Sequence, residues 1–433
     1  MKYKKIIYCR LCYSKKLKQI INFGSICLSS AFPYKNSKFN KTIPMIFGIC
    51  KNCRAAQLLH NYDLKELYNE DYGYRSGINQ SMIDHLTGIT NDIKKIVKFQ
   101  RDDYVLDIAS NDATLLKSYK SSKINYVGID PTITIYKKYY PKNFKAKSAL
   151  FSKHKYLNLS KKQKAKVITS IAMFYDVQNP NEFVSDIKDI LREDGIWVME
   201  MYYLPILLKY SAYDSICHEH ITYFTFNHIS YLCKKNNLRI FKVSLNSMNC
   251  GSIRYFICHN NAQFKSDYNS IKKCSKLEKG LSSKSFFNFR KKVKYLSQKL
   301  NFEIKKIKRK KKKKNYKKKL NFEIKKIKRK KKTVHIYGAS TKGNISIQYS
   351  KLNVKDISFA ADRNPMKWNR KMPGSNIPII SEKSSRSKNP DFYLVLPWHF
   401  KKEFIQREKK FLINGGKLIF PLPQIKIVSK KDL

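Results

Sequence analysis

At 433 residues the chain exceeds what one hydrophobic core supports, so two to four domains are expected. Its 42% hydrophobic content fills such cores, yet no run reaches the roughly 18 apolar residues of a membrane span. The formal net charge of +58 does not name a partner by itself: Lys305 to Lys332 alone hold 19 Lys or Arg against one Glu. The remaining excess is spread over a chain rich in Lys, Asn, Ile and Tyr together, the composition of an AT-rich coding sequence. Such a surface attracts nucleic acid non-specifically without a selected site for it. The opening MKYKKIIYCRLCY has an apolar stretch too short, and broken by cysteine, for a secretory signal. A soluble, cytoplasmic, monomeric protein is expected.

Residues 1–75 carry two CxxC pairs, Cys9-Arg10-Leu11-Cys12 and Cys50-Lys51-Asn52-Cys53, separated by 37 residues. Each pair presents two thiolates from one tight turn, and two turns close a tetrahedron around zinc. Four sulfurs leave no position for water, so Cys9, Cys12, Cys50 and Cys53 predict a structural zinc site. The separation is longer than in a minimal zinc ribbon. Cys27 stays outside the set, and no strand of thioredoxin type precedes either pair.

Residues 76–262 open with a helical pattern, SMIDHLTGITNDIKKIVKF, followed by the apolar runs YVLDIAS, INYVGIDP, KVITSIAMFYDV and GIWVMEMYY. Such runs alternating with helical patterns predict a mostly parallel sheet covered on both faces. The most informative stretch is Asp103 to Ala113, an apolar strand leading into a turn of small and polar residues. Ligands of α/β sheets bind at the carboxyl ends of strands. The next strand ends at Asp130, placed to accept hydrogen bonds from both hydroxyls of a ribose. With no GxGxxG present, the pair of features fits S-adenosylmethionine. Asp107, Ala109, Ser110, Asn111, Asp112 and Asp130 are the expected cofactor residues.

Residues 263–332 are polar, helical and increasingly basic. LNFEIKKIKRKKK occurs at 300–312 and again at 320–332. A 20-residue period turns an α-helix by about 200°, so Phe302, Ile304 and Ile307 cannot share one stripe with their repeats. A solvated connector is expected. Residues 333–433 return to strand and helix alternation in TVHIYGAS, DISFAADRN, DFYLVLPW and GKLIFPLP. The turn Tyr337 to Asn344 follows a strand and opens a helix. Its backbone N–H groups, with Ser340, Thr341, Lys342 and Asn344, form either an anion site or a purely structural turn. Asp362-Arg363-Asn364-Pro365 ends the next strand and lines the same crevice. The fold expected is α/β throughout, with a small zinc-binding domain, a central Rossmann-like domain and a C-terminal Rossmann-like domain.

Taken in order, Cys9/Cys12/Cys50/Cys53, YGYRSGINQSM (72–82), VLDIASNDATLL, MFYDVQNPNEFVSDIKDIL, CHEHITYF and YGASTKGN resemble the sugar C-methyltransferases. The resemblance covers nearly the whole chain except the basic connector. It implies transfer of a methyl group from S-adenosylmethionine to a carbon next to the ketone of a nucleotide-linked keto-deoxysugar, a thymidine diphosphate sugar by expectation, held between the central and C-terminal domains. C-methylation by an enolate needs a general base and a donor for the enolate oxygen. Within Cys217-His218-Glu219-His220 the resemblance implies that Glu219 and His220 lie in the active site. We nominate His220 as base, and an extended backbone would point His218 the same way. Tyr72 and Tyr74 resemble tyrosines that face the sugar; read alone, they are core residues.

Asn249 to Arg254 resembles the family's N-G-G-S-x-R, where Arg254 either pairs with phosphate or holds its strand. This chain departs from the family at several positions. The family's D-I-G-x-N-D-G has alanine here at both glycine positions, Ala109 and Ala113. Cys217 and Met173 stand where some members have tyrosine and histidine. Other readings are methylation of a hydroxyl, which needs only a base, and a basic nucleic-acid binder whose cofactor loop has decayed.

Overall fold

In the computed structural model, residues 3–37, 41–69, 72–308 and 332–433 are described. They form two compact units, one of residues 1–31 and 41–291 and one of residues 32–40 and 292–433. Among the described residues no helix is long and apolar enough to cross a membrane.

In the first unit, the interval between the CxxC pairs contains two long antiparallel strands. Strands Leu17–Cys27 and Thr42–Cys50 pair with Leu17 opposite Cys50, which brings both CxxC turns to one end. Ala56–Leu58 and Thr222–Tyr223 extend this sheet to four strands. The last of these comes from the central region, directly after the CHEH segment, so both regions fold as one body. The boundary read at residue 75 falls inside this unit.

The main sheet of the first unit has seven strands, numbered here along the chain: Tyr104–Ile108, Asn125–Ile129, Lys145–Lys147, Ala165–Ile171, Leu191–Tyr202, Leu238–Asn246 and Ser252–His259. Across the sheet they run 3-2-1-4-5-7-6, with the seventh antiparallel to its neighbours. Strands one, two and four are buried along nearly their whole length, which explains their continuous apolar runs. The helical pattern read from Ser81 onward is the helix Gln80–Ile96, with Leu86, Ile89 and Ile93 on its buried face. Pro180–Ile190 starts on an Asn179 cap with proline in its first turn. Phe226–Lys235 starts on a Thr225/His228 capping box.

The second unit holds six strands: Val334–Tyr337, Phe359–Asp362, Ile379–Ser381, Phe392–Val395, Lys417–Phe420 and Lys426–Val428. Their order is 3-2-1-4-5-6, the doubly wound dinucleotide-fold order, with only the last pairing antiparallel. Residues 32–40 belong here: Arg370 donates to the Phe32 carbonyl at 2.6 Å and Lys371 to that of Ser37 at 2.7 Å. The region read as connector contains helices Tyr268–Glu278 and Ser283–Lys308. In the first repeat Leu300 and Ile304 are buried while Phe302 is exposed, so Phe302 does not share the apolar stripe. The second copy of the repeat, apart from Lys332, lies outside the described residues.

Candidate active site

The four sulfurs of Cys9, Cys12, Cys50 and Cys53 all lie within 4.8 Å of one another. Cys9 to Cys53 and Cys12 to Cys50 both measure 3.6 Å. Sulfurs placed about 2.3 Å from a tetrahedral zinc stand about 3.8 Å apart, so the set fits the ion. The two turns repeat one geometry. Tyr13 N donates to Cys9 O and Cys9 N to Ser14 O; Arg54 N donates to Cys50 O and Cys50 N to Ala55 O. Tyr13 and Arg54 each adopt positive φ, 57° and 63°. Between the first two cysteines, buried Arg10 donates to the carbonyls of Leu58, His60 and Ile221 at 2.7, 2.8 and 3.1 Å. His228, bonded through Nδ1 to the amide of Thr225, reaches the Cys53 carbonyl through Nε2 at 2.8 Å. The zinc turns are thereby bolted to the central sheet's loops.

At the ends of strands one and four the backbone is left-handed at Ala109 (φ 60°), Asn111 (φ 50°), Ala113 (φ 60°) and Ala172 (φ 56°). Non-glycine residues held so cluster at functional sites. The alanines replacing the family's glycines thus keep glycine's conformation, at about 1 kcal/mol each. Asp107 lies beneath this loop, accepting from the Thr169 hydroxyl at 2.6 Å, and burial pushes its carboxyl up to about 7. Ser110 points at strand two, its hydroxyl 2.8 Å from that of Tyr140, in the space left by the missing side chain of Gly128.

Asn111 and Asp112 are engaged by the segment that precedes the helix Gln80–Ile96. The Asn111 side chain bonds Ser76 N at 2.9 Å and Tyr74 O at 3.3 Å; Asp112 accepts from Gly77 N at 3.0 Å and from Arg75 at 3.3 Å. Both side chains therefore hold the YGYRSG segment onto the loop. Asp130 accepts from Asn111 N at 2.9 Å on one oxygen and from Thr132 N and Oγ1, both at 2.5 Å, on the other. With three donors already placed, the carboxylate has room for about one ribose hydroxyl rather than two. The donor set still fits a nucleoside with a ribose beside Asp130.

The CHEH segment is a turn, not an extended strand: His220 N donates to Cys217 O at 3.0 Å. The turn separates its two imidazoles. His220 lies against the rings of Tyr175 (4.3 Å between centroids) and Tyr202 (5.3 Å), and its Nδ1 meets the Ser215 carbonyl at 2.8 Å. A carbonyl accepts only, so Nδ1 carries the hydrogen and the lone pair of the neutral ring is on Nε2. His218 is fully buried, edge-on to Tyr62 at 4.9 Å. Burial drives its pKa down to about 3, so the ring is neutral. Glu219 is 5% exposed; Ser29 reaches one oxygen at 3.4 Å and the other has no partner.

Sequence reasoning missed the groups around this turn. Tyr68 donates to Asp176 at 3.0 Å, and one Asp176 oxygen is buried without a partner. Tyr72 sits among Glu219, Asp130 and Asp176; burial first, then these carboxylates, push its phenol well above the usual range. Tyr72 is thus close enough to all three carboxylates to feel their charge. Tyr74 differs: its carbonyl accepts from Tyr136 at 2.8 Å and its ring is 40% exposed. Asp176 lies in the quoted MFYDVQNPNEF stretch without a role assigned to it, and no motif marked Tyr68.

Arg254 resolves toward its structural reading. It is buried, donating to Glu200 and to Asp92, both at 2.8 Å, while Glu200 also bonds His85 at 2.6 Å and Asn246 at 3.0 Å. In the second unit Ser340 caps helix Thr341–Tyr349, its hydroxyl accepting from Gly343 N at 3.0 Å. Thr341 and Lys342 are half-buried beside it, whereas Asn344 is 0% exposed and leaves the set of ligand-facing residues.

Three family models match in chain order: a zinc binding domain over residues 9–68, a methyltransferase domain over 85–243 and a C-methyltransferase C-terminal domain over 310–423. The C-methyltransferase NovU of Streptomyces niveus is 24% identical over 430 residues, spanning 98% of this chain and 97% of that protein. Among solved structures, the plantazolicin methyltransferase BpumL is 14% identical with a TM-score of 0.32, covering 41% of this chain and 84% of that one. The CurJ carbon methyltransferase is 8% identical with a TM-score of 0.31, covering 42% and 56%. The sheet order, the loop after strand one and the matched domains define an S-adenosylmethionine-dependent methyltransferase with a four-cysteine structural zinc site. More particularly, it is a C-methyltransferase similar to NovU, in which a zinc binding, a methyltransferase and a C-methyltransferase C-terminal domain follow one another along the chain.

Proposed function

We propose that the protein methylates a carbon next to the ketone of a nucleotide-linked keto-deoxysugar through an enolate, in the cytoplasm. The observation that carries this reading is His220, its Nδ1–H fixed on Ser215 and its ring held by Tyr175 and Tyr202. An imidazole locked in one tautomer suits removal of a proton from carbon. Bound S-adenosylmethionine supplies an electrophilic methyl group. Asp130 orients its ribose, and the backbone of the Ala109–Ala113 turn holds the remainder. Tyr72 lies between that carboxylate and Glu219, where it borders both donor and acceptor. Ser340, Thr341 and Lys342 of the C-terminal unit are proposed for the diphosphate, which a helix N-terminus with one lysine suits.

The test is incubation with labelled S-adenosylmethionine and a panel of nucleotide keto-sugars, following deuterium wash-out next to the ketone. Exchange and carbon methylation, both lost in His220→Gln, are expected. Methyl transfer to a hydroxyl without exchange would replace this reading. Lys342→Ala is expected to raise KM for the nucleotide-sugar about tenfold, as loss of one charge-assisted hydrogen bond does, while affinity for S-adenosylhomocysteine stays unchanged.

A further inference from the structure

The carboxyl of Asp176 has no role in the expectations above, and its setting is unusual. It ends the short turn Phe174–Asp176 that follows strand four. That turn docks on the catalytic one: Ile221 N donates to Tyr175 O at 2.9 Å, and the Tyr175 ring lies on His220 at 4.3 Å. Asp176 is therefore the immediate neighbour of the residue that packs on the base. One of its oxygens takes the Tyr68 hydroxyl at 3.0 Å. The other is shielded from solvent with no hydrogen-bond partner, and so is one oxygen of Glu219. Cys217 and Tyr72 border the same carboxylates.

Two buried carboxylates, each with an oxygen left bare, are costly beside one another. The ordinary remedy is a proton on one of them and an oxygen of the ligand between them. Burial, with Glu219 nearby, raises the Asp176 carboxyl well above the usual range, whereas the Tyr68 hydroxyl works against this only in part. A carboxylic acid so placed is a donor. The pocket needs one, because Cys217, at the turn's first position, offers only a weak S–H.

We propose that Asp176 is a catalytic residue of the acceptor pocket: its carboxylic acid, steadied by Tyr68, donates a hydrogen bond to the acceptor's ketone oxygen as that oxygen becomes an enolate. The proposal rests on the enolate reading above. In the step, Nε2 of His220 takes the proton from the carbon next to the ketone, and the C–H electron pair becomes the carbon–carbon double bond. The carbonyl π pair moves onto oxygen, where the Asp176 O–H meets it. The carbon then forms its bond to the methyl group as the methyl–sulfur bond breaks with its electrons on sulfur. The carbonyl re-forms, and Asp176 keeps its proton throughout.

The experiment compares deuterium exchange next to the ketone, methyl transfer and calorimetric binding of S-adenosylhomocysteine in four proteins besides the wild type. Asp176→Ala removes the donor and is expected to slow exchange and transfer together by about 100-fold or more, the usual effect of losing one such donor. Asp176→Asn keeps an N–H donor and is expected to lie within about tenfold of wild type. Tyr68→Phe is expected to lower kcat about tenfold with unchanged cofactor affinity. Should Asp176→Ala not fold, the Asn and Phe variants decide. An Asp176→Asn enzyme as dead as His220→Gln, though it binds S-adenosylhomocysteine, overturns the donor role. So does wild-type exchange in Asp176→Ala. If wild type exchanges and His220→Gln does not, the enolate reading stands whatever happens at Asp176; a wild type that never exchanges sinks both.

Discussion

The guanidinium of Arg10, set between the first two zinc-site cysteines, donates to the carbonyl of Ile221, the residue after His220, at 3.1 Å. The zinc turn and the catalytic turn are thus one hydrogen bond apart. Arg10→Met leaves three buried carbonyls without this donor and is expected to cost about 3 kcal/mol, with a fall in kcat. Zinc content should stay at one ion per chain, because no sulfur is touched. A zinc-loaded Arg10→Met enzyme with wild-type kcat would show that the zinc knot does not position the catalytic turn. Removal of zinc by a chelator is expected to lower the melting temperature and kcat together.

Ala109 and Ala113 hold φ of 60°, a conformation in which glycine is unstrained. Ala109→Gly and Ala113→Gly should each stabilise the fold by about 1 kcal/mol in urea unfolding. Ala109→Gly should also tighten S-adenosylhomocysteine several-fold, as a pre-organised loop would. Loss of stability in both variants would mean that the loop relaxes away from this backbone.

Buried His218 makes stability depend on pH in a defined direction. Its pKa falls from 6.5 to about 3 on folding, so unfolding takes up a proton between those values and stability falls as pH drops below 6.5. Asp107, raised from 3.8 to about 7, acts oppositely over that range, its contribution being lost as pH rises. The difference between wild type and His218→Phe isolates the histidine. Between pH 6.5 and pH 5 the variant should lose about 2 kcal/mol less than wild type, from about 1.4 kcal/mol per pH unit and proton. Equal slopes would place a charged histidine at 218. With His220 as the proposed base, His218→Phe should leave the pH profile of kcat in place.

Arg254 pairs with Glu200 on the neighbouring strand and with Asp92 on the helix Gln80–Ile96. Arg254→Met is expected to destabilise by about 3 kcal/mol or more, since it leaves Glu200 buried with one cation fewer. KM for the nucleotide-sugar should not change. A large rise in KM at wild-type stability would return this arginine to phosphate binding.

Much of the fold was legible in the residues. The CxxC spacing predicted a four-sulfur set that the geometry brings together, and the apolar runs predicted both parallel sheets. Those signals are local: a turn of four residues or a strand of five contains all the chemistry that defines it. The separation of the CxxC pairs, longer than in a minimal zinc ribbon, does not keep them apart, because strand pairing of Leu17 with Cys50 brings the two turns together.

The site was legible as a neighbourhood but not as a set of roles. Sequence order alone put His220, Glu219, Asp130 and Tyr72 in one list. Only the tertiary structure showed that His218 packs edge-on to Tyr62, that Asn111 and Asp112 bond the YGYRSG segment, and that Arg254 bonds Glu200 and Asp92. It also brought Tyr68 to Asp176 across 108 residues. Side chains acquire function from what they touch, and here the partners come from helices, turns and strands far apart along the chain. Hydrogen bonds and burial act over a few ångströms, a distance that positions along the chain do not record.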